Sequence, residues 1–220
     1  MKIAVLGSGK RIDSWKKRFE DVSISYVQDN QTHDEYDVFI DLNWDEFPDR
    51  IKSYHQNSGT LFILGANFKT IESGLHEFGL QMNQQQYFGL NTFPHLIERS
   101  VWEATNPFEY SLNKWSDIES FLGVEKTHWL ESRVGFYTPR VLSMIINEAY
   151  YTLQEGTAEK EAINTAMKLG TNYPNGPFEF VELFGLDMVY KQLLSLGEDT
   201  GEERYRICSL LKQEYLRSRL

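Results

Sequence analysis

Two glycines near the amino terminus stand where a nucleotide-binding turn could form. Gly7 and Gly9 follow the apolar run Ile3–Leu6 and precede a helical stretch. Glycines in a strand-to-helix turn let a diphosphate approach the backbone N–H groups at the helix N-terminus. Lys10 and Arg11 add positive charge beside the expected phosphate position.

An acidic residue after the second apolar run extends this pattern. Asp29 lies 22 residues beyond Gly7, where a carboxylate can hold a ribose hydroxyl. Ile12 stands where the pattern G-x-G-x-x-G has its third glycine, so the pattern is incomplete. The sequence therefore predicts a dinucleotide site at Gly7, Gly9 and Asp29, and a plain strand-to-helix turn is the alternative.

Short apolar runs alternate with helical stretches in the first half of the chain. Such runs are typical of buried strands in a parallel sheet that carries helices on both faces. The pattern predicts strands over residues 3–6, 24–27, 37–41, 60–64 and 87–90, with further strands over 96–104 and 126–131. It predicts helices over residues 13–19, 45–56, 69–77 and 116–122.

Helical periodicity takes over in the second half. The pattern predicts helices over residues 139–156, 157–170, 177–197 and 202–217, the first of them apolar on several sides. We therefore expect two domains, a parallel-sheet domain over residues 1–133 and a helical domain over residues 134–220.

Composition excludes several classes of protein. The chain has 220 residues and a net charge of −10, which disfavours binding to nucleic acid or to an anionic membrane. Its single cysteine, Cys208, excludes a disulfide framework, and neither its five histidines nor its acids show metal-ligand spacing. We expect a soluble cytoplasmic protein without a metal site.

Three motifs in the second half carry a family resemblance. They are GFYTPRVL at residues 135–142, AMKLG with YPNGPFE at 166–170 and 173–179, and GLD at 185–187. Together they resemble the C-terminal domain of the 3-hydroxyacyl-CoA dehydrogenases. The resemblance implies a Rossmann domain followed by a helical dimerisation domain, hence a homodimer, and the Rossmann-like domain of this chain is shorter than that of the family. It also implies oxidation of a 3-hydroxyacyl-CoA with NAD as the hydride acceptor.

The resemblance extends more loosely into the first half, where the chain departs from the family at the catalytic base. The segment at residues 88–91 resembles the strand that carries the family's catalytic histidine, but the matching residue is Asn91. Residues 96–98 resemble the segment of the catalytic glutamate, which places that role on Glu98. The amide of Asn91 can orient an oxygen but cannot accept a proton. His95 is a candidate for a relocated base with Glu98 as its orienter, and a solvent-facing loop histidine is the alternative.

These observations leave three hypotheses. The first is a divergent NAD-dependent 3-hydroxyacyl-CoA dehydrogenase with impaired catalysis. The second is a non-catalytic, dimeric binding or scaffold protein of the same fold. The third, another oxidoreductase acting on a smaller hydroxy acid, has no specific residue in its favour.

Overall fold

The computed structural model describes residues 1–28, 33–56, 59–81 and 86–220. Asp29, predicted to bind the cofactor, lies outside the described residues. The chain divides into two compact units, Met1–Phe136 and Tyr137–Leu220, whereas the predicted boundary follows residue 133.

The first unit is built on one seven-stranded sheet with the spatial order β2-β1-β3-β4-β5-β6-β7. The strands are β1 (Ile3–Leu6), β2 (Ser25–Tyr26), β3 (Val38–Asp41), β4 (Leu61–Gly65), β5 (Gln86–Leu90), β6 (Val101–Thr105) and β7 (Lys126–Leu130). The predicted parallel sheet is confirmed from β2 to β5. The strand β6 runs antiparallel to β5, and β7 is parallel to β6.

Helices cover both faces of this sheet, as the buried apolar strands predicted. They are α1 (Gly9–Arg18), α2 (Ile51–His55), α3 (Ile71–Glu77) and α4 (Asn113–Leu122). Trp15 of α1 and Trp115 of α4 pack in one buried cluster with alternate strand residues. Tyr54 of α2 and Leu75 of α3 pack in the other cluster, against the opposite face.

Three segments of this unit differ from the prediction. The helix expected from residue 13 begins at Gly9, so Asp13 lies within it. The helix expected over residues 45–56 is instead two single 3₁₀ turns, Trp44–Glu46 and Pro48–Arg50, followed by the short α2. Pro48 has no backbone N–H to donate and therefore separates the two turns. The strand expected from residue 96 begins only at Val101, because backbone bonds from Leu96, Ile97 and Arg99 close turns ahead of it.

The second unit consists of five helices. They are α5 (Thr138–Gln154), α6 (Lys160–Thr171), α7 (Pro177–Phe184), α8 (Leu186–Thr200) and α9 (Ser209–Arg217). The single helix predicted over residues 177–197 is wrong, since Gly185 separates α7 from α8 with a φ of +96° that favours glycine. The helix predicted from residue 202 begins only at Ser209, after a 3₁₀ turn at Glu203–Tyr205. No helix in the described parts of the chain has the length and apolar character needed to cross a membrane.

Asp41, the last residue of β3, ties α2 to the sheet from a fully buried position. Its Oδ2 accepts a hydrogen bond of 2.7 Å from Tyr54 Oη, its Oδ1 accepts one of 3.0 Å from Asn43 N, and Arg50 Nη1 lies 3.3 Å from both oxygens. Burial raises the pKa of Asp41 to about 6, although these donors oppose the rise.

This raised pKa predicts a pH-dependent difference between wild type and Asp41→Asn. Folded Asp41 binds its proton more tightly than the unfolded chain does, so its contribution to stability falls as pH rises through the interval between the two pKa values. The free energy of unfolding of wild type, relative to Asp41→Asn, should fall by about 2 kcal/mol between roughly pH 4.5 and 7. Urea titrations at both pH values measure this, and a constant difference would contradict it.

Gly65, the last residue of β4, gives a second stability prediction. A Cβ at this position would overlap Leu42 O and Thr92 Oγ1, which belong to the connections after β3 and β5. We expect Gly65→Ala to lower the free energy of unfolding by about 1–3 kcal/mol, as overpacking does elsewhere. Gly170→Ala is the matched control, because α6 leaves open space there and alanine favours the helix. Equal melting temperatures for the two variants would refute the prediction.

Candidate active site

The strand order reverses at β1, which lies between β2 and β3. In open sheets of this type, ligands bind in the crevice outside the carboxyl ends of the strands at such a switch point. The connections that follow β1, β3, β4 and β5 therefore form the candidate site.

The glycine turn after β1 is closely packed on one side and open on the other. A Cβ on Gly7 would meet the Leu42 side chain at 3.0 Å, whereas nothing lies within 4 Å of a Cβ built on Gly9. Ser8 N donates to Asn43 Oδ1 at 2.8 Å, and Ser8 and Gly9 are exposed. The first turn of α1 contains no acidic residue, and its leading N–H groups have no acceptor within the helix. This end of the crevice fits a diphosphate.

Arg11 is buried beneath this turn. The sequence predicted that Arg11 adds positive charge near the phosphate position, and in the structure this residue is only 1% exposed. Its Nη1 donates to Leu42 O at 2.5 Å, to Asp45 Oδ1 at 2.6 Å and to Thr92 Oγ1 at 3.1 Å. Among the described residues, Nε and Nη2 have no hydrogen-bond acceptor, although Nη2 lies 3.6 Å from Glu46 Oε1. One side chain thus joins the connections after β3 and β5.

Asp45 completes a buried ion pair with Arg11. The two side chains are 0% and 2% exposed, respectively. Asp45 Oδ2 also accepts hydrogen bonds from Asn67 N at 2.8 Å and Phe68 N at 3.0 Å. Burial raises the pKa of Asp45, and the Arg11 guanidinium and the Phe68 amide oppose this rise. The carboxylate therefore fixes the connection that follows β4.

Asn91 lies at the carboxyl end of β5 in a defined orientation. Its Oδ1 accepts hydrogen bonds from Asn67 Nδ2 at 2.9 Å and from Phe93 N at 3.1 Å. Its Nδ2 donates to Glu103 Oε2 at 3.1 Å. Asn67 Oδ1 in turn accepts a bond of 3.0 Å from Thr92 N, so the amide orientations determine one another. The side-chain amide of Asn91 is pre-organised at the candidate site.

Glu103, and not Glu98, is the carboxylate hydrogen-bonded to Asn91. Glu98 Oε2 accepts a bond of 2.6 Å from Lys17 Nζ on α1. Glu103 comes from β6, where Asn91 N also donates to Glu103 O at 2.9 Å. The sequence contained a signal for it that was missed, namely one acid inside the otherwise uncharged strand Val101–Thr105.

His95 and Glu98 are close to each other, which is a condition of the hypothesis that His95 is a relocated base. His95 Nδ1 is 3.7 Å from Glu98 Oε1, and His95 N donates to Ser14 Oγ of α1 at 3.0 Å. The His95 side chain is partly exposed. Its contacts are thus with α1 and Glu98, whereas those of Asn91 are with Asn67, Phe93 and Glu103.

The described residues fit only one part of a dinucleotide, its diphosphate. The N-terminus of α1 suits a diphosphate. Beyond the ends of β3 to β5, however, the Arg11 guanidinium is hydrogen-bonded to Leu42 O and Thr92 Oγ1, and its Cζ lies 5.0 Å from the centroid of the Phe68 ring. In the part of the chain that the structure describes, no group of three His, Cys, Asp or Glu side chains could hold a metal ion.

The second unit is similar in sequence to a family of known proteins. Residues 135–220 match the family model described as 3-hydroxyacyl-CoA dehydrogenase, C-terminal domain. The 3-hydroxyadipyl-CoA dehydrogenase of Escherichia coli K12 is 48% identical over 82 residues, which are 37% of this chain and 17% of that protein. The mitochondrial hydroxyacyl-coenzyme A dehydrogenase of Sus scrofa is 49% identical over 107 residues, 47% of this chain and 34% of that protein. The chain thus covers about a third or less of these relatives.

Solved structures extend the likeness in fold to nearly the whole chain. The (S)-3-hydroxybutyryl-CoA dehydrogenase of Ralstonia eutropha has a TM-score of 0.74 at 17% identity, over 99% of this chain and 94% of that one. The 3-hydroxybutyryl-CoA dehydrogenase of E. coli K12 has a TM-score of 0.74 at 17% identity, over 100% of this chain and 57% of that one. By sequence in its helical unit and by fold in both units, the chain therefore resembles the 3-hydroxyacyl-CoA dehydrogenases, with a Rossmann-like sheet followed by a helical C-terminal domain.

Proposed function

We propose that this protein is a divergent NAD-dependent 3-hydroxyacyl-CoA dehydrogenase with impaired catalysis. The observation that carries the proposal is the oriented pair of Asn91 and Glu103 at the carboxyl end of the sheet, in a chain whose helical unit matches the family model. The proposed substrate is an acyl-CoA, as the names of the relatives indicate for those proteins. The proposed reaction converts a 3-hydroxyacyl-CoA to the 3-ketoacyl-CoA.

Asn91 is proposed to orient the substrate oxygen. Its amide has two N–H groups, one of which donates to Glu103, leaving the other for a hydroxyl or carbonyl oxygen. Asn67 and Phe93 N hold the opposite end of the amide, so the donor direction is fixed before the substrate arrives. Fixed donors contribute to rate through positioning alone.

Proton transfer is the step that this site lacks. Oxidation of an alcohol needs a group that takes the hydroxyl proton, and a neutral amide does not do so at ordinary pH. A positioned general base typically contributes about 10²–10⁴-fold to the rate. We therefore expect slow turnover, with Glu103 positioning Asn91.

NAD is the proposed cofactor, and its diphosphate is assigned to the turn at Gly7 and Gly9. The open space at Gly9 and the acid-free first turn of α1 support this assignment. Asp29 is proposed to hold a ribose hydroxyl. A bound nicotinamide would supply the hydride acceptor.

A non-catalytic binding protein is the second candidate function. The buried Arg11 favours it, because its guanidinium is hydrogen-bonded to Thr92, the residue that follows Asn91. Under this alternative the protein binds an acyl-CoA or nucleotide without turnover. Stabilisation by acetoacetyl-CoA in a thermal-shift assay, with no NADH oxidation after the substitution described next, would favour it.

Asn91→His should restore a base oriented by Glu103. We expect turnover of acetoacetyl-CoA at saturating NADH to rise at least about tenfold, which corresponds to roughly 1.4 kcal/mol of barrier. Adding Glu103→Gln to this variant should abolish the gain, since the imidazole would lose its carboxylate partner. Adding Glu98→Gln is the matched control and should preserve the gain, because Glu98 contacts Lys17 and His95.

Two results would contradict this assignment. A wild type that turns over at an ordinary enzyme rate and slows after Asn91→His would show that a different base operates. Loss of that wild-type activity after His95→Ala would then assign the base to His95.

We also propose that the protein is a homodimer formed through its helical unit, in the cytoplasm. Large apolar side chains of this unit are exposed, among them Tyr137 at 65%, Val141 at 51% and Leu169 at 82%. Exposed apolar patches commonly mark interfaces, and most soluble oligomers are symmetric dimers. The single cysteine, Cys208, is compatible with a reducing compartment.

Light scattering at micromolar concentration tests the dimer. We expect a mass of twice the 25.7 kDa of one chain. A mass of one chain at that concentration would overturn the proposal.

A further inference from the structure

The position of Arg11 bears on which part of a dinucleotide the crevice can accept. A dinucleotide that crosses a switch point has its diphosphate at the first helix, one nucleoside towards β2 and the other above the strands beyond β1. In this chain the second position lies above the carboxyl ends of β3, β4 and β5. Asn91, at the end of β5, marks the same position as the place of the chemistry under the proposed function.

Arg11 already occupies that position. Its guanidinium is hydrogen-bonded to Leu42 O after β3 and to Thr92 Oγ1 after β5. It also lies over the ring of Phe68, which follows β4. The guanidinium therefore spans the three strand ends that a nicotinamide ring would have to cover.

The charge of the guanidinium disfavours the nicotinamide ring, as its position does. The oxidised nicotinamide ring is a cation, and a guanidinium at the same place repels it. The buried carboxylate beside the guanidinium, Asp45, is already paired with Arg11 at 2.6 Å and accepts two backbone N–H groups. A diphosphate, by contrast, is attracted by the N-terminus of α1.

We infer that Arg11 is an internal competitor for the nicotinamide ring, so the crevice binds the ADP-ribose part of a dinucleotide and gains no affinity from the ring. This inference rests on the proposed function for the identity of the cofactor. The proposed function attributes impaired catalysis to proton transfer at Asn91. The inference adds a second cause, which is weak binding of the nicotinamide ring because of Arg11. The ring enters only when the guanidinium leaves Asp45 and Thr92.

Calorimetric titration of the full chain with NAD and with ADP-ribose tests the inference without any substitution. Wild type should bind ADP-ribose at least as tightly as NAD. Tighter binding of NAD, by about fivefold or more, would overturn the inference while leaving the proposed function intact.

The double variant Arg11→Met, Asp45→Asn extends the test. It removes the guanidinium together with the carboxylate that would otherwise be left buried and unpaired. We expect NAD to bind at least about fivefold more tightly than to wild type, with ADP-ribose affinity unchanged. A smaller gain for NAD, an equal gain for ADP-ribose, or no binding of either ligand to this variant would overturn the inference.

Two control variants separate other causes. Arg18→Met makes the same substitution at the far end of α1, where the guanidinium donates to Gly123 O, and should leave both affinities as in wild type. Asp45→Asn alone retains the guanidinium and should not gain affinity for NAD. Absence of the turnover gain in Asn91→His would count against the proposed function and leaves the outcome of these titrations unaffected.

Discussion

The ion pair between Arg11 and Asp45 is the interaction on which the carboxyl edge of the sheet depends. Two charges removed from water are expensive unless each is hydrogen-bonded, and both side chains here are almost fully buried. The guanidinium joins the connections after β3 and β5, and the carboxylate holds the backbone after β4. Three neighbouring strand ends are thereby fixed relative to α1. Loss of either partner would leave the other as an uncompensated buried charge.

The orientation of Asn91 follows from this arrangement. Asp45 holds Asn67 N, the Asn67 side chain holds the amide oxygen of Asn91, and Glu103 receives the opposite end of that amide. An amide held from both ends can present a single N–H direction to a substrate oxygen, which is the property that positioning requires. The same arrangement holds the Arg11 guanidinium against Thr92, the residue that follows Asn91. Under the proposed function, one buried network would both orient the substrate and exclude a cationic ring.

The order of short apolar runs and helical stretches predicted the strands and the helices on both faces of the sheet. Such signals depend only on residues that are close together in the sequence. The glycine turn after a strand predicted a place for Gly7 in the candidate site. A family resemblance predicted the same for Asn91. The burial of Arg11 was not predictable, since its acceptors lie 31 to 81 residues away in sequence. Glu103 was missed because its contact with Asn91 depends on the antiparallel pairing of β5 and β6, which local periodicity does not encode. Gly185 separates two helices because its φ is positive. Glycine can adopt a positive or a negative φ, so its presence in the sequence did not predict this break.

A double-mutant cycle on Arg11 and Asp45 tests most directly whether this pair organises the edge of the sheet. The free energy of unfolding would be measured for wild type, Arg11→Met, Asp45→Asn and the double variant. Each single substitution should cost about 3–5 kcal/mol, because it leaves one buried charge unpaired. The double variant should cost at least about 2 kcal/mol less than the sum of the two. Additivity within about 0.5 kcal/mol would show that the two side chains act independently and would contradict the account.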